Sequence, residues 1–89
     1  MKSILQENCE CFFCLTTKNL HLHHVCNGYG NRGMCDLYGL TVYLCAKHHD
    51  MVHRDQKLDE GLKRYAQRAF EERYSREEWM ETFHKNYLE

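Results

Sequence analysis

The segment from Leu40 to His53, LTVYLCAKHHDMVH, decides the fold that we predict for this chain. Its first part, residues 40–44, is rich in β-branched, aromatic and apolar side chains, and this composition predicts a strand. Residues 46–53 contain neither Pro nor Gly and predict a short helix. Helical spacing would place His49 and His53 one turn apart on one face. The segment therefore predicts a strand that leads directly into a helix carrying histidines.

A second strand and a long loop are predicted on the N-terminal side of this segment. Residues 20–25, LHLHHV, alternate with a period of two and predict a half-buried strand that pairs with residues 40–44. Residues 26–39 hold Asn27, Asn31 and several glycines, which predicts a long irregular loop between the two strands. Loops of this length are uncommon in compact domains unless they have a function.

The C-terminal third of the chain predicts two supporting helices. Asp55 can cap the first of them, and Ser75–Glu78 has the pattern of a capping box that opens the second. The apolar and aromatic residues of both helices are read as core. We therefore predict a single α+β domain over residues 1–89, with a zinc knuckle and strand-helix core at 9–55 and supporting helices at 56–89.

Composition limits the possible classes of protein. The chain has 12 Lys+Arg and 13 Asp+Glu, a formal charge of −1, which argues against a basic nucleic-acid coat protein. No apolar run approaches the length of a membrane span, and the N-terminus does not have the pattern of a signal peptide. We therefore expect a cytoplasmic protein without membrane contact. Six Cys beside seven His in a reducing compartment indicate metal binding.

The first predicted metal site is structural. Two pairs of ligands, each separated by two residues, would supply the four soft ligands of a closed tetrahedral zinc site: Cys11, Cys14, Cys45 and His48. The site would clamp the N-terminal knuckle to the end of the second strand. His49 competes for the fourth position and Cys9 for the first. Cys26 and Cys35 are interpreted as spare thiols in the loop.

The remaining histidines predict a second site with open coordination positions. A hairpin packed on the short helix would bring four of them together: His23, His24, His49 and His53. Imidazole ligands suit a transition metal that keeps room for water and substrate. His23 and His24 can serve one site only where their strand ends or bulges. His21 and His84 are interpreted as exposed or otherwise satisfied side chains.

Together these motifs resemble the HNH endonucleases, whose core is the ββα-metal fold. The resemblance is carried by Cys-x2-Cys, the His-His pair at a strand end, and Leu-Cys-x2-His-His-x3-His, and extends from about Cys11 onward. It is closest to small phage and prophage HNH proteins, and a RecA-dependent recombination-enhancement nuclease of a temperate phage carries a related domain. The implied fold is a zinc-stapled ββα-metal core with a long Gly-rich loop between two antiparallel strands, followed by two C-terminal helices.

The resemblance implies roles for particular residues. His24 would be the general base, and His23, His49 and His53 would hold a catalytic divalent metal, Mg2+, Mn2+, Ni2+ or Zn2+. Asn31 is assigned as the family Asn, with Asn27 as its competitor. The implied reaction is single-metal hydrolysis of a DNA phosphodiester that leaves 5′-phosphate and 3′-hydroxyl ends.

Partners follow from the same resemblance. DNA is the expected substrate, in the bacterial host cytoplasm, with a phage terminase or recombinase as a possible partner. Arg32, Lys47 and Arg54 flank the expected site and either hold phosphates or are solvated surface charges. A non-catalytic zinc module that binds nucleic acid or a packaging or recombination partner is the alternative function. The sequence does not distinguish a monomer from a small homo-oligomer.

Overall fold

A computed structural model of the protein describes residues 3–26 and 31–88. Within these ranges the chain forms a small α+β fold with one antiparallel two-stranded sheet. The elements in chain order are β1 (Leu20–His24), α1 (Asn31–Tyr38), β2 (Thr41–Cys45), α2 (Ala46–Arg54), α3 (Gln56–Arg73) and α4 (Arg76–Phe83). None of the helices in this part of the chain is long and apolar enough to cross a membrane.

The two strands pair so that the start of β1 lies beside the end of β2. Leu20 is opposite Cys45, and His24 is opposite Thr41. The N-terminal segment covers the other edge of β2, because the N–H of Phe12 donates to the carbonyl of Tyr43 at 2.9 Å. The strand β2 therefore has hydrogen-bonded chain on both of its sides, and four of its five residues are buried.

The predicted irregular loop over residues 26–39 is wrong for residues 31–38, which form α1. This helix ends in a Schellman motif, with Gly39 in the left-handed region at a φ of 71°. The N–H of Leu40 donates to the carbonyl of Cys35 at 2.8 Å, and the N–H of Gly39 donates to that of Asp36 at 3.2 Å. Cys35 is fully buried, so tertiary packing stabilises a segment whose glycines had indicated a loop.

The C-terminal helices begin at the predicted caps. The side chain of Asp55 accepts a hydrogen bond from the N–H of Lys57 at 2.9 Å, and α3 follows. The hydroxyl of Ser75 accepts from the N–H of Glu78 at 3.1 Å, and α4 follows. Each side chain satisfies one of the N–H groups that the first turn of a helix leaves unpaired.

Aromatic packing joins these helices to α1. The ring of Phe70 lies 5.4 Å from that of Trp79 and 4.9 Å from that of Tyr38, measured between centroids. Buried Gln67 holds the C-terminal segment, because its side-chain oxygen accepts from the N–H of Tyr87 at 2.8 Å. The supporting helices therefore form the core against which α1 and the sheet are placed.

Candidate metal centres

The four residues predicted as a zinc clamp meet at one point. Their ligand atoms all lie within 4.8 Å of one another: Cys11, Cys14, Cys45 and His48. The first pair comes from the N-terminal knuckle, and the second comes from the junction of β2 and α2. Cys45 is the N-cap of α2, and its sulfur accepts from the N–H of His48 at 3.5 Å. This cap places the imidazole in the first turn beside the sulfur.

The distances within this tetrad match a tetrahedral metal site. Zn–S bonds of about 2.3 Å imply S···S edges of about 3.8 Å, and S···N edges are slightly shorter. The sulfurs of Cys14 and Cys45 are 3.8 Å apart. Nδ1 of His48 lies 3.1 Å from the sulfur of Cys45 and 3.6 Å from that of Cys11. The residues present are therefore close enough to bind a metal ion, and their chemistry fits zinc.

The thiol of Cys11 has a lowered pKa, which favours metal binding. Burial opposes ionisation of Cys11, but backbone N–H groups of Cys14, Cys45 and Phe13 bond to its sulfur and lower its pKa to about 6. The thiolate, which is the metal-binding form, therefore predominates at neutral pH.

The structure separates the competing ligands. His48 lies with the three cysteines, whereas His49 lies in a different cluster. Cys9 is exposed and is not part of the tetrad.

The second cluster consists of three imidazoles from β1 and α2. His23, His49 and His53 each offer a ring nitrogen, and these atoms lie within 4.8 Å of one another. Nε2 of His53 is 3.2 Å from Nε2 of His49. Three imidazole ligands with bonds of about 2.0–2.1 Å place their nitrogens about 3.0–3.4 Å apart. The spacing of the α2 pair thus fits two ligands of one ion.

His23 supplies the observation that tests this site for a metal. Its Nε2 is buried and finds no hydrogen-bond partner among residues 3–26 and 31–88. A buried polar nitrogen without a partner is costly, and a metal ion would satisfy it. Burial first, and then the neighbouring His49 and His53, lowers the pKa of His23 to about 4. The ring is therefore neutral near pH 7, with a lone pair available for coordination.

His24 lies beside this cluster without belonging to it. His24 is the last residue of β1. The strand therefore ends at the adjacent pair His23 and His24, as is required if both side chains are to reach the same site. Its Nε2 lies 2.8 Å from Oδ1 of Asp36 on α1. Asp36 was missed by sequence reasoning, because the segment that carries it was predicted to be a loop.

A surface cavity of about 220 Å³ joins these groups. Its lining consists of Leu22, His23, His24, Arg32, His49 and His53. Of the three predicted phosphate-binding cations, Arg32 lines this cavity. Arg54 forms an ion pair with Asp50 one turn earlier on α2, and Lys47 is exposed on the same helix. Of these three cations, Arg32 is thus the one that lines the cavity with all three imidazoles of the cluster.

One further histidine and two asparagines complete the placement of the sequence candidates. The ring of His21 stacks on that of His49, with centroids 5.1 Å apart and planes 13° apart. The period of two in β1 places His21 on the same face as His23, a signal that the sequence interpretation passed over. Asn31 begins α1, but its side chain lies outside the described part of the structure, as does Asn27.

The two thiols interpreted as spare tie α1 to the end of β1. The sulfur of Cys35 accepts from the N–H of Cys26 at 3.1 Å and donates to its carbonyl at 3.0 Å. Both residues are buried. Neither thiol belongs to a group of candidate metal ligands among the described residues, but the predicted loop position is wrong for Cys35, which lies in α1 and anchors the helix that carries Asp36.

The separation of the two clusters predicts an outcome for metal analysis. A double variant, His49→Ala with His53→Ala, should retain about one tightly bound zinc per chain, because the tetrad loses no ligand. The His48→Ala variant should lose that zinc. Elemental analysis after dialysis measures both values. Zinc retained by His48→Ala but lost by the double variant would show that the ligands are divided differently.

The chain was also compared with known proteins. No family model, no curated protein and no solved structure matches it.

Proposed function

We propose that this protein is a metal-dependent DNA endonuclease of the HNH type. The observation that carries the proposal is the three-imidazole cluster with His24 and Arg32 around one cavity. Catalytic metal sites keep positions open for water and substrate, whereas structural sites are closed by four protein ligands. Within residues 3–26 and 31–88 there is one group of four candidate ligands and one group of three, which is consistent with one site of each kind.

The imidazole cluster would hold the divalent cation. His23 is 3% exposed and brings its ligand atom from β1, while His49 and His53 come from α2. When bound, the cation would stabilise the negative charge that develops on the phosphoryl group and on the departing sugar oxygen. Because neutral imidazoles contribute no negative charge, the cation would keep its full attraction for phosphate.

His24 would act as the general base. In-line hydrolysis requires a proton to leave the attacking water as its oxygen bonds to phosphorus, while the bond from phosphorus to the sugar 3′-oxygen breaks. A positioned imidazole typically contributes about 10²- to 10⁴-fold to such a step. His24 lines the cavity but is not one of the three clustered ligands, so its ring remains available for the proton.

Arg32 would orient the scissile phosphate. It reaches the cavity from α1, whereas the imidazole cluster is built on β1 and α2. The guanidinium presents several donors in a planar fork that matches phosphate oxygens. Contacts to the backbone fix position but carry no sequence information, so we expect weak sequence preference.

Cleavage of supercoiled plasmid DNA tests the proposal. The purified zinc-loaded chain should nick or linearise the plasmid with Mg2+, Mn2+ or Ni2+, and should be inactive in a chelator that spares the zinc clamp. His53→Ala should lower the rate at least about tenfold, because it removes an exposed ligand and leaves the core unchanged. The 5′-phosphate and 3′-hydroxyl ends can be identified by ligation without further treatment.

A histidine outside both clusters provides the control. His84 ends α4 with a φ of 64°, so the control is His84→Asn, because Asn tolerates this conformation. It should cleave like the original chain. An intact plasmid with every metal, at full zinc loading, would contradict the proposal and favour a non-catalytic zinc module.

A further inference from the structure

We propose that Asp36 is the positioning residue of His24, holding the ring in the tautomer in which Nδ1 is the basic nitrogen. This inference rests on the proposed function for its effect on rate. The structural part of the inference, that the carboxylate of Asp36 fixes one tautomer of His24, does not depend on the proposed function.

The contact itself determines the tautomer. Oδ1 of Asp36 lies 2.8 Å from Nε2 of His24. An ionised carboxylate only accepts hydrogen bonds, so Nε2 must carry the hydrogen and donate it. In the neutral ring the other nitrogen, Nδ1, is then the one with the free lone pair. Without Asp36, neutral imidazole exchanges between both tautomers.

The side chain of His24 is mostly buried, whereas that of its partner Asp36 is exposed. Their exposed fractions are 11% and 58%, respectively. The ring is therefore confined, whereas the carboxylate is largely in contact with water. An exposed carboxylate adds little to stability, so a variant of Asp36 should leave the fold unchanged.

The attachment of α1 explains how an exposed carboxylate keeps its place. Cys35, the preceding residue, is fully buried and makes two hydrogen bonds to the backbone of Cys26. The carbonyl of Asp36 accepts from the N–H of Gly39 in the turn that ends the helix. The backbone of Asp36 is therefore held in place next to Cys35, whose hydrogen-bond partner Cys26 lies two residues after His24 in the chain.

The same helix brings two charged side chains to the neighbourhood of His24. Arg32 lies one turn before Asp36 and lines the cavity. The other ionisable groups of this cavity are His23 from β1 and His49 and His53 from α2. Asp36 does not line the cavity but contacts His24, which does, so α1 supplies both a cation in the cavity and a carboxylate on the ring of His24.

Ring tautomers can be read directly from the folded protein. Long-range 1H–15N correlation spectra of the 15N-histidine-labelled, zinc-loaded chain should show His24 with a protonated Nε2. In Asp36→Ala the Nδ1 and Nε2 shifts of His24 should move toward each other as both tautomers are populated. Glu81→Gln, an exposed carboxylate on α4, is the matched control and should leave these signals unchanged.

Kinetics provide the second readout. Asp36→Ala should lower kcat for plasmid cleavage by about ten- to a hundredfold, as expected for one lost hydrogen bond to a charged group. KM should change less than about twofold, because the carboxylate orients the base and does not hold the substrate. Zinc content and far-UV circular dichroism verify the fold of each variant.

The two failures are distinguishable. A chain that cleaves no DNA refutes the proposed function, while its His24 spectrum still decides whether Asp36 fixes the tautomer. An unchanged His24 spectrum in Asp36→Ala overturns the inference whether or not the chain cleaves DNA. In a cleaving chain, an unchanged kcat overturns it as well.

Discussion

Replacing His24 by alanine is expected to lower the rate of DNA cleavage by about 10²- to 10⁴-fold, the contribution that a general base typically makes. The substitution removes the group proposed to accept the proton of the attacking water. It removes none of the three clustered imidazoles and none of the tetrad ligands. The metal content should therefore remain the same while the rate falls.

A single-turnover assay at saturating divalent metal measures this effect without interference from product release. Added imidazole should restore part of the activity of His24→Ala, because the vacated position lines an open cavity. The His84→Asn variant, altered at the end of α4, should cleave at the original rate. A decrease of less than about threefold for His24→Ala would mean that another group accepts the proton.

Replacing Cys14 by serine is expected to unfold most of the chain at 37 °C. Cys14 is exposed, so the substitution creates no cavity in the core and its effect must come through the metal. Structural zinc contributes roughly 10–16 kcal/mol in small zinc domains, whereas a whole domain is stable by only about 5–15 kcal/mol. A weakened tetrad therefore removes a large share of the free energy of unfolding.

Cys9→Ser is the matched control for this prediction. Cys9 is also an exposed cysteine of the N-terminal segment, but it lies outside the tetrad. Thermal denaturation followed by circular dichroism should show a cooperative transition for Cys9→Ser and the original chain, and none for Cys14→Ser. Equal melting temperatures for the two variants would be incompatible with a metal clamp at this position.

Local patterns account for what the sequence predicted correctly. The strand and helix around Cys45 follow from composition and the lack of breakers, and the caps at Asp55 and Ser75 act within three residues. The choice between His48 and His49 was also open to local reasoning. Because Cys45 is the N-cap of α2, the third helical residue turns back toward its sulfur, and that residue is His48.

Long-range packing accounts for what the sequence did not reveal. An eight-residue helix is marginal alone, and α1 depends on the burial of Cys35 and on its bonds to Cys26. The contact between Asp36 and His24 spans twelve residues and exists only once this helix is placed. No spacing rule in the sequence links these two residues, so the partner of the proposed base had to come from the structure.

The adjacency of His48 and His49 in α2 places ligands of both clusters on one helix. The helix begins at the tetrad and carries two of the three imidazoles of the second cluster. If the tetrad binds zinc, the metal would fix the start of the helix that carries His49 and His53, and would favour the arrangement in which these two side chains hold a second ion. Scarcity of zinc would then weaken the second centre even where its own ion is plentiful.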